Sequence, residues 1–340
     1  MNDMSHPMQQ VSAGLARPWL VADIGGTNAR FGWVAEGSLR VEHVRTLPVQ
    51  AHGSPAAAAK SYLEAVSAQL GSAFAPPRAA ALAVATSVSH DTVTMTNSGW
   101  SFSRRALGAD LALDELLVLN DFEALALSLP RLGAGQVRPI GGPRPGAPGS
   151  AMAVIGPGTG LGVAGILPTA SGWVAIPGEG GHASLAPFDD FEAQLLAAAR
   201  KDFPHVSAER FLSGIGMPVL YRAVAQVMGV AAAPLTAEEV VERGLAQSDP
   251  VCDRTLDAFC ALLGSFAGST ALVLGARGGV FIGGGIVPRL GERFLASAFR
   301  ERFEAKGRFQ DYLRAIPTSL ITDTLVALTG ASFALEQQGR

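Results

Sequence analysis

The sequence predicts a two-domain α/β protein, and three observations carry that prediction. Short apolar runs alternate with stretches of helical periodicity. At 340 residues the chain exceeds the usual size of a single hydrophobic core. A strand, a Gly/Thr turn and a second strand occur twice, about 130 residues apart, as a duplicated architecture with two facing turn tips would require.

The apolar runs Leu20–Ile24, Ala80–Ala85, Leu116–Leu119, Ala151–Ile155 and Gly279–Ile282, bounded by Gly and Asn, are expected to be buried strands. The periodicity predicts helices over Pro55–Leu70, Asp121–Leu129, Phe188–Lys201, Met217–Met228, Ala237–Ala246 and Pro250–Leu274. Gly133–Ser150, with Gly141, Gly142, Pro143, Pro145, Gly146, Pro148 and Gly149, is expected to be one long loop. The polar first seventeen residues match neither a signal nor a transit peptide and are expected to form a flexible tail.

Composition narrows the function. With 48% hydrophobic and 16% charged residues the chain is globular, and a net charge of -3 gives no basic field for nucleic acid or an anionic membrane. Small molecules are the expected partners. Cys252 and Cys260 are too far apart along one helix to bridge and too few for a zinc site, so both are expected to be buried and reduced. Asp257 to Arg277 is long and uncharged enough to span a bilayer, but Gly264, Ser265, Gly268, Ser269 and Thr270 interrupt it. A buried core helix with close backbone packing is expected instead.

Several residues suit phosphate and sugar chemistry. Asp23-Ile24-Gly25-Gly26-Thr27-Asn28 and Gly156-Pro157-Gly158-Thr159-Gly160 each follow a strand, where glycines let backbone N–H groups approach an anion and a Thr adds a hydroxyl. Neither is a P-loop, since no Lys-Ser/Thr follows. A metal is then needed to neutralise phosphate, and Asp23 is placed to hold a hydrated Mg²⁺; a turn-capping Asp is the alternative. Gly160 to Gly165 spells the dinucleotide fingerprint G-x-G-x-x-G, but the alternation in Leu161–Leu167 predicts strand where that fingerprint needs a helix.

Asn120-Asp121 stands at the C-terminal end of a strand, the edge where open α/β sheets bind ligands, and an adjacent amide and carboxylate suit sugar hydroxyls. Asp121 is an equally good helix N-cap. Glu179 and His182, in Pro177-Gly178-Glu179-Gly180-Gly181-His182, lie in a segment too rich in glycine for a metal-binding helix, and so suit polyol hydroxyls better. Glu209 precedes a Gly-rich turn at Ser213–Gly216; a surface helix charge is its commoner explanation. Gly283, Gly284 and Gly285 end a buried strand, either to let a flat ring lie on backbone or for tight strand-to-helix packing.

Taken in order, these motifs resemble the bacterial glucokinase family of the hexokinase–actin–sugar kinase superfamily. The resemblance runs from about Trp19 to the C-terminus, and its carriers are Asp23–Arg30, Leu119–Phe122, Gly156–Gly162, Pro177–His182, His205–Arg210 and Gly278–Ile282. It implies a two-domain actin-like or hexokinase-like ATPase fold with a central cleft. A small domain over 19–131 and 322–340 and a large one over 132–321 would close on glucose. By the same resemblance Asn120, Asp121, Glu179, His182 and Glu209 contact the sugar, with Asp121 as the base that activates its 6-hydroxyl. Gly25, Gly26, Thr27 and Asn28 with Gly158 and Thr159 hold the phosphates of ATP, and Gly283–Gly285 border the adenosine. A cytoplasmic homodimer acting at the first step of glycolysis is implied too.

The chain departs from the family in two places. It reads Thr96-Asn97-Ser98-Gly99-Trp100 where Thr-Asn-His-x-Trp is usual, and Thr86–Asp91 lacks the usual proline-containing turn ending in Gly-Asp. Both departures bear on sugar breadth. The related ROK kinases carry a cysteine-rich zinc motif near their His, which this chain lacks. Rival readings are a kinase for another hexose, a non-catalytic sugar sensor and a filament-forming ATPase. Asp121 with both turns argues against the sensor, and the sugar residues argue against the filament.

Overall fold

The computed structural model describes residues 18–338 apart from 39, 96 and 97. The expected tail and the Thr96-Asn97 pair lie outside the described residues. Two compact units are formed: the described parts of Met1–Arg131 with Leu325–Arg340, and Leu132–Thr324. The second unit extends three residues past the expected boundary at 321. Thr322 donates its N–H to the carbonyl of Gln136 at 2.9 Å, and the Gln136 amide donates to Asp323 at 2.8 Å, which ties this stretch to the second unit.

In the first unit β1 (Trp19–Ile24), β2 (Asn28–Val34) and β3 (Val41–Pro48) form an antiparallel meander, and β4 (Ala79–Val84) lies parallel to β1. A short hairpin, β5 (Thr92–Thr94) and β6 (Ser101–Ser103), precedes β7 (Glu115–Asn120), which pairs parallel with β4. The sheet order is β3-β2-β1-β4-β7. Side chains alternate across a strand. Leu20, Ala22 and Ile24 therefore pack with Tyr62 and Val66 of α1 (Pro55–Leu70), while Trp19 and Val21 meet Leu328, Ala331 and Leu335 of the C-terminal helix Val326–Gln338. Burial on both faces explains why β1 and β4 are continuous apolar runs. Ser54 caps α1 by accepting the Ala57 N–H, and Gly71 ends it at φ 56°. Next come α2 (Arg104–Asp110) and α3 (Asp121–Ser128). α3 touches the C-terminal helix so closely that a Cβ on Gly330 would lie 1.7 Å from the Ala124 carbonyl.

The second unit repeats the plan. β8 (Val137–Ile140) is followed by a meander of β9 (Met152–Pro157), β10 (Leu161–Thr169) and β11 (Gly172–Gly178). Parallel strands β12 (Gly279–Ile282) and β13 (Thr318–Ile321) complete the order β11-β10-β9-β12-β13-β8. As in the first sheet, the hairpin's first strand is flanked on its other side by a parallel strand, so the duplication read from the two turns extends to the topology. β10 is a strand throughout, as the alternation predicted. β8 corrects the expected Gly133–Ser150 loop: Val137–Ile140 pairs antiparallel with β13 at the sheet edge, the position where a strand tolerates a proline such as Pro139.

Helices α4 (Asp190–Ala199), α5 (Met217–Val227), α6 (Ala237–Leu245), α7 (Pro250–Leu274), α8 (Val287–Leu295), α9 (Phe299–Glu304) and α10 (Gln310–Arg314) complete this unit. α7 is long and apolar enough to cross a membrane by length and composition, but most of it is buried, packed on α5, α6 and α9. A Cβ on Gly264 or Gly268 would lie 2.2 Å from the Phe299 carbonyl or 2.4 Å from that of Phe303, so these glycines let α9 approach. Cys252 and Cys260 are buried and free, and burial pushes each thiol up to about 12.

Candidate active site

The first unit presents Asp23 at the end of β1 and the Gly25–Asn28 turn beyond it. Gly25 donates its N–H to the Asn28 carbonyl at 2.9 Å, and Val49 donates to Thr27 at 2.9 Å, fixing the turn against the end of β3. Asp23 and Arg30 are directly opposed in the β1–β2 register, so the Arg30 guanidinium reaches the Asp23 carboxylate at 3.0 Å. Burial holds the Asp23 carboxyl above its ordinary range, against the opposing pull of Arg30.

Two strands away, Asn120 closes β7 and caps α3. Its Oδ1 accepts the N–H groups of Phe122 at 2.9 Å and Glu123 at 3.3 Å, and its Nδ2 donates to the Thr86 carbonyl at 3.3 Å. The cap is therefore Asn120, and Asp121 is the first residue of α3. The Asp121 Oδ1 also accepts the Phe122 N–H at 2.9 Å. Burial first, with the Asp23 charge adding, lifts the Asp121 carboxyl to about 6 against these hydrogen bonds. That suits a base which must be ionised near neutrality and can still take a proton. The Trp100 indole is buried and donates to the His52 carbonyl at 3.0 Å.

In the second unit the β9–β10 turn closes by the Gly158 N–H on the Gly160 carbonyl at 2.9 Å. It is braced on two sides. Gly214 and Ile215 donate to the carbonyls of Gly158 and Thr159 at 2.8 and 3.3 Å, while Ile286 donates to that of Pro157 at 3.2 Å. A Cβ on Gly158 would meet nothing within 4 Å, so this backbone is open to a ligand. Gly284, at φ +77°, would place a Cβ 2.3 Å from the Pro157 carbonyl, whereas one on Gly285 would meet nothing. Close packing thus requires Gly284, and Gly285 presents open backbone.

Glu179 follows β11, and Gly180–His182 is a single 3-10 turn. Both side chains are exposed. The His182 Nε2 lies 3.9 Å from the Glu179 carboxylate and its Nδ1 3.9 Å from that of Glu209. Glu209 is not on a surface helix: it sits in a run of turns, and its Oε2 accepts the Leu161 N–H at 2.9 Å. Glu179, His182 and Glu209 therefore converge within the second unit, and Asn120, Asp121 and Asp23 gather in the first. Arg30 and Ser213 were missed. Arg30 had a legible signal, since a short hairpin places it opposite Asp23. Ser213 had only its position before Gly-x-Gly.

A half-buried carboxyl beside a Gly/Thr turn in the first unit, and a Gly/Thr turn beside a Glu/His/Glu group in the second, are the parts that a sugar kinase of the actin-like ATPase fold requires. The glucokinase family model matches residues 20–338. A glucokinase from Aromatoleum aromaticum is 48% identical over 319 residues, covering 94% of this chain and 95% of its own. The crystal structure of a glucokinase from an Antarctic psychrotroph superposes with a TM-score of 0.86 at 40% identity, covering 94% of this chain and 98% of that one. A ROK family glucokinase from Streptomyces griseus in complex with glucose and AMPPNP shares the fold at a TM-score of 0.56 and 18% identity, covering 93% and 98%. The chain belongs to the glucokinase family.

Proposed function

We propose that the chain transfers the γ-phosphoryl group of ATP to the 6-hydroxyl of glucose, with Asp121 as the base. The observation that carries the assignment of Asp121 is its place at the C-terminal end of β7, where Asn120 already caps the helix and so leaves the half-buried Asp121 carboxyl without a capping role. The 6-oxygen forms a bond to the γ-phosphorus, the bond from that phosphorus to the bridging oxygen breaks, ADP leaves, and the hydroxyl proton passes to Asp121. Phosphoryl transfer has a loose transition state, so positioning and charge neutralisation do most of the work and the base is needed late. Asn120, Glu179, His182 and Glu209 orient the sugar. Gly25, Gly26, Thr27 and Asn28 with Gly158 and Thr159 hold the phosphates of ATP, and Gly285 offers backbone to the adenosine. Glucose and AMPPNP held together on this fold in the Streptomyces griseus protein support the choice of substrates.

Mg²⁺ enters with the nucleotide. Among the described residues no three His, Cys, Asp or Glu side chains form a metal cage. A hydrated ion held by phosphates and one carboxylate needs none. Asp23, whose negative charge already bears on Asp121, fits as that carboxylate. Bound there, the ion would neutralise phosphate oxygens. The reading extends to a cytoplasmic homodimer at the first step of glycolysis; its free, buried cysteines suit a reducing compartment. A coupled assay crossing several hexoses with ATP, ADP and polyphosphate tests the substrates. Glucose with ATP should give the highest kcat/KM, and a higher value for another pair would overturn the assignment.

A further inference from the structure

We infer that Ser213 is a positioning residue that couples sugar binding to nucleotide binding by tying the sugar loop to the β9–β10 phosphate turn. The inference rests on the proposed function and deepens it. Ser213 is fully buried, and its hydroxyl both donates to the Glu209 carbonyl at 2.7 Å and accepts the Gly216 N–H at 3.0 Å. One side chain thus pins both ends of the Glu209–Gly216 turn. Gly216 has no room to drift inward, since a Cβ there would lie 2.6 Å from the Glu209 carbonyl.

Each end of this turn grips a different substrate element. At one end the Glu209 N–H donates to the Gly181 carbonyl at 2.8 Å, between Glu179 and His182. The Glu209 carboxylate holds the Leu161 N–H at the base of the phosphate turn with one oxygen and leaves the other 3.9 Å from His182. At the other end Gly214 and Ile215 donate to the carbonyls of Gly158 and Thr159, the residues proposed to face phosphate. Gly181 itself lies on Leu161, where a Cβ would be 2.0 Å from the carbonyl. A sugar that draws on Glu209 or the Gly181 loop therefore shifts the carbonyls and N–H groups of the phosphate turn through hydrogen bonds that Ser213 keeps in register. Such a connection gives reciprocal coupling: each substrate alters the affinity for the other by the same factor.

Titration calorimetry of AMPPNP with Mg²⁺, with and without saturating glucose, measures that factor. In the wild type, glucose should tighten nucleotide binding by about 10-fold, within the usual range of coupling between sites. Ser213→Ala should bring the factor close to one while glucose alone still binds, and Ser213→Thr, which keeps the hydroxyl, should restore it. A purely architectural serine would lower Tm without changing the factor. Gly214→Ala provides a second test, because its Cβ would press on the Gly158 carbonyl at 3.2 Å from outside the sugar loop; it too should reduce the factor. Wild-type coupling in either folded variant would overturn the inference. So would a wild type that phosphorylates glucose yet shows no coupling, whereas a wild type with no glucose phosphorylation would defeat the proposed function itself.

Discussion

The carboxylate of Asp23 bears electrostatically on that of Asp121 across a single intervening strand, and adds to burial in lifting the Asp121 carboxyl to about 6. Strand spacing puts the two strand ends roughly 10 Å apart. Asp23 is itself restrained by Arg30 at 3.0 Å. One arginine thus serves a site with two half-buried acids, and this imbalance bears on how the site responds to pH and mutation.

The sign of the pH effect on stability follows from the direction of the Asp121 shift. Its carboxyl binds a proton more tightly folded, at about 6, than at its ordinary value of 3.8. Folding stability is therefore lost as pH rises from 3.8 through 6, and the loss is constant above that, at up to about 3 kcal/mol. Asp121→Asn should stabilise the protein by about 1–3 kcal/mol at pH 8, with the gain vanishing at acid pH. Urea denaturation of both proteins across this range checks the sign, and a variant less stable than wild type at pH 8 would contradict it.

Arg30→Met should leave Asp23 as a half-buried acid without its cation, at a cost of about 1–3 kcal/mol at neutral pH. Because Asp23 then protonates more readily, the penalty should shrink as pH falls. Thermal melts at several pH values test this; a pH-independent penalty would assign Arg30 to packing alone.

In the sugar loop, Glu179→Ala and His182→Ala should each lower kcat/KM for glucose about 10- to 150-fold, the worth of one charged hydrogen bond of about 1.5–3 kcal/mol. Both side chains are exposed, so Tm should move by no more than a few degrees and nucleotide affinity measured without glucose should be unchanged. Early melting with a normal KM for glucose would make these residues architectural.

Gly264→Ala and Gly268→Ala force a methyl against the carbonyls of Phe299 and Phe303 and should each cost about 1–3 kcal/mol or more through overpacking. Calorimetric unfolding measures it. Wild-type stability would show that α9 can withdraw freely from α7.

How much of this was legible in the sequence depended on which force set each element. α1 and α7 have their predicted limits, because a capping residue, a proline at the first helical position and a terminal glycine mark them locally. β1, β4, β9 and β12 were legible because burial on both faces makes them continuous apolar runs. β3 was missed because it is a charged edge strand, half exposed, and β8 because only its pairing with β13 makes Val137–Ile140 a strand among glycines and prolines. The candidate site was legible where a glycine-rich motif marked it. Glu209, however, resembled a surface helix charge, since nothing local in the sequence shows that its carboxylate meets Leu161, 48 residues away.

Whether Asp121 is the base for transfer to the sugar is tested most directly by steady-state kinetics of Asp121→Ala with glucose and ATP, using protein shown to be folded by its melting transition. In this variant kcat should fall roughly 10²–10⁴-fold, the usual share of general-base catalysis. In the wild type, kcat/KM should decline below a pH of about 6, where the carboxyl takes up its proton. Activity in Asp121→Ala within a few-fold of wild type would rule Asp121 out as the base, leaving it as no more than the first residue of a helix that Asn120 already caps.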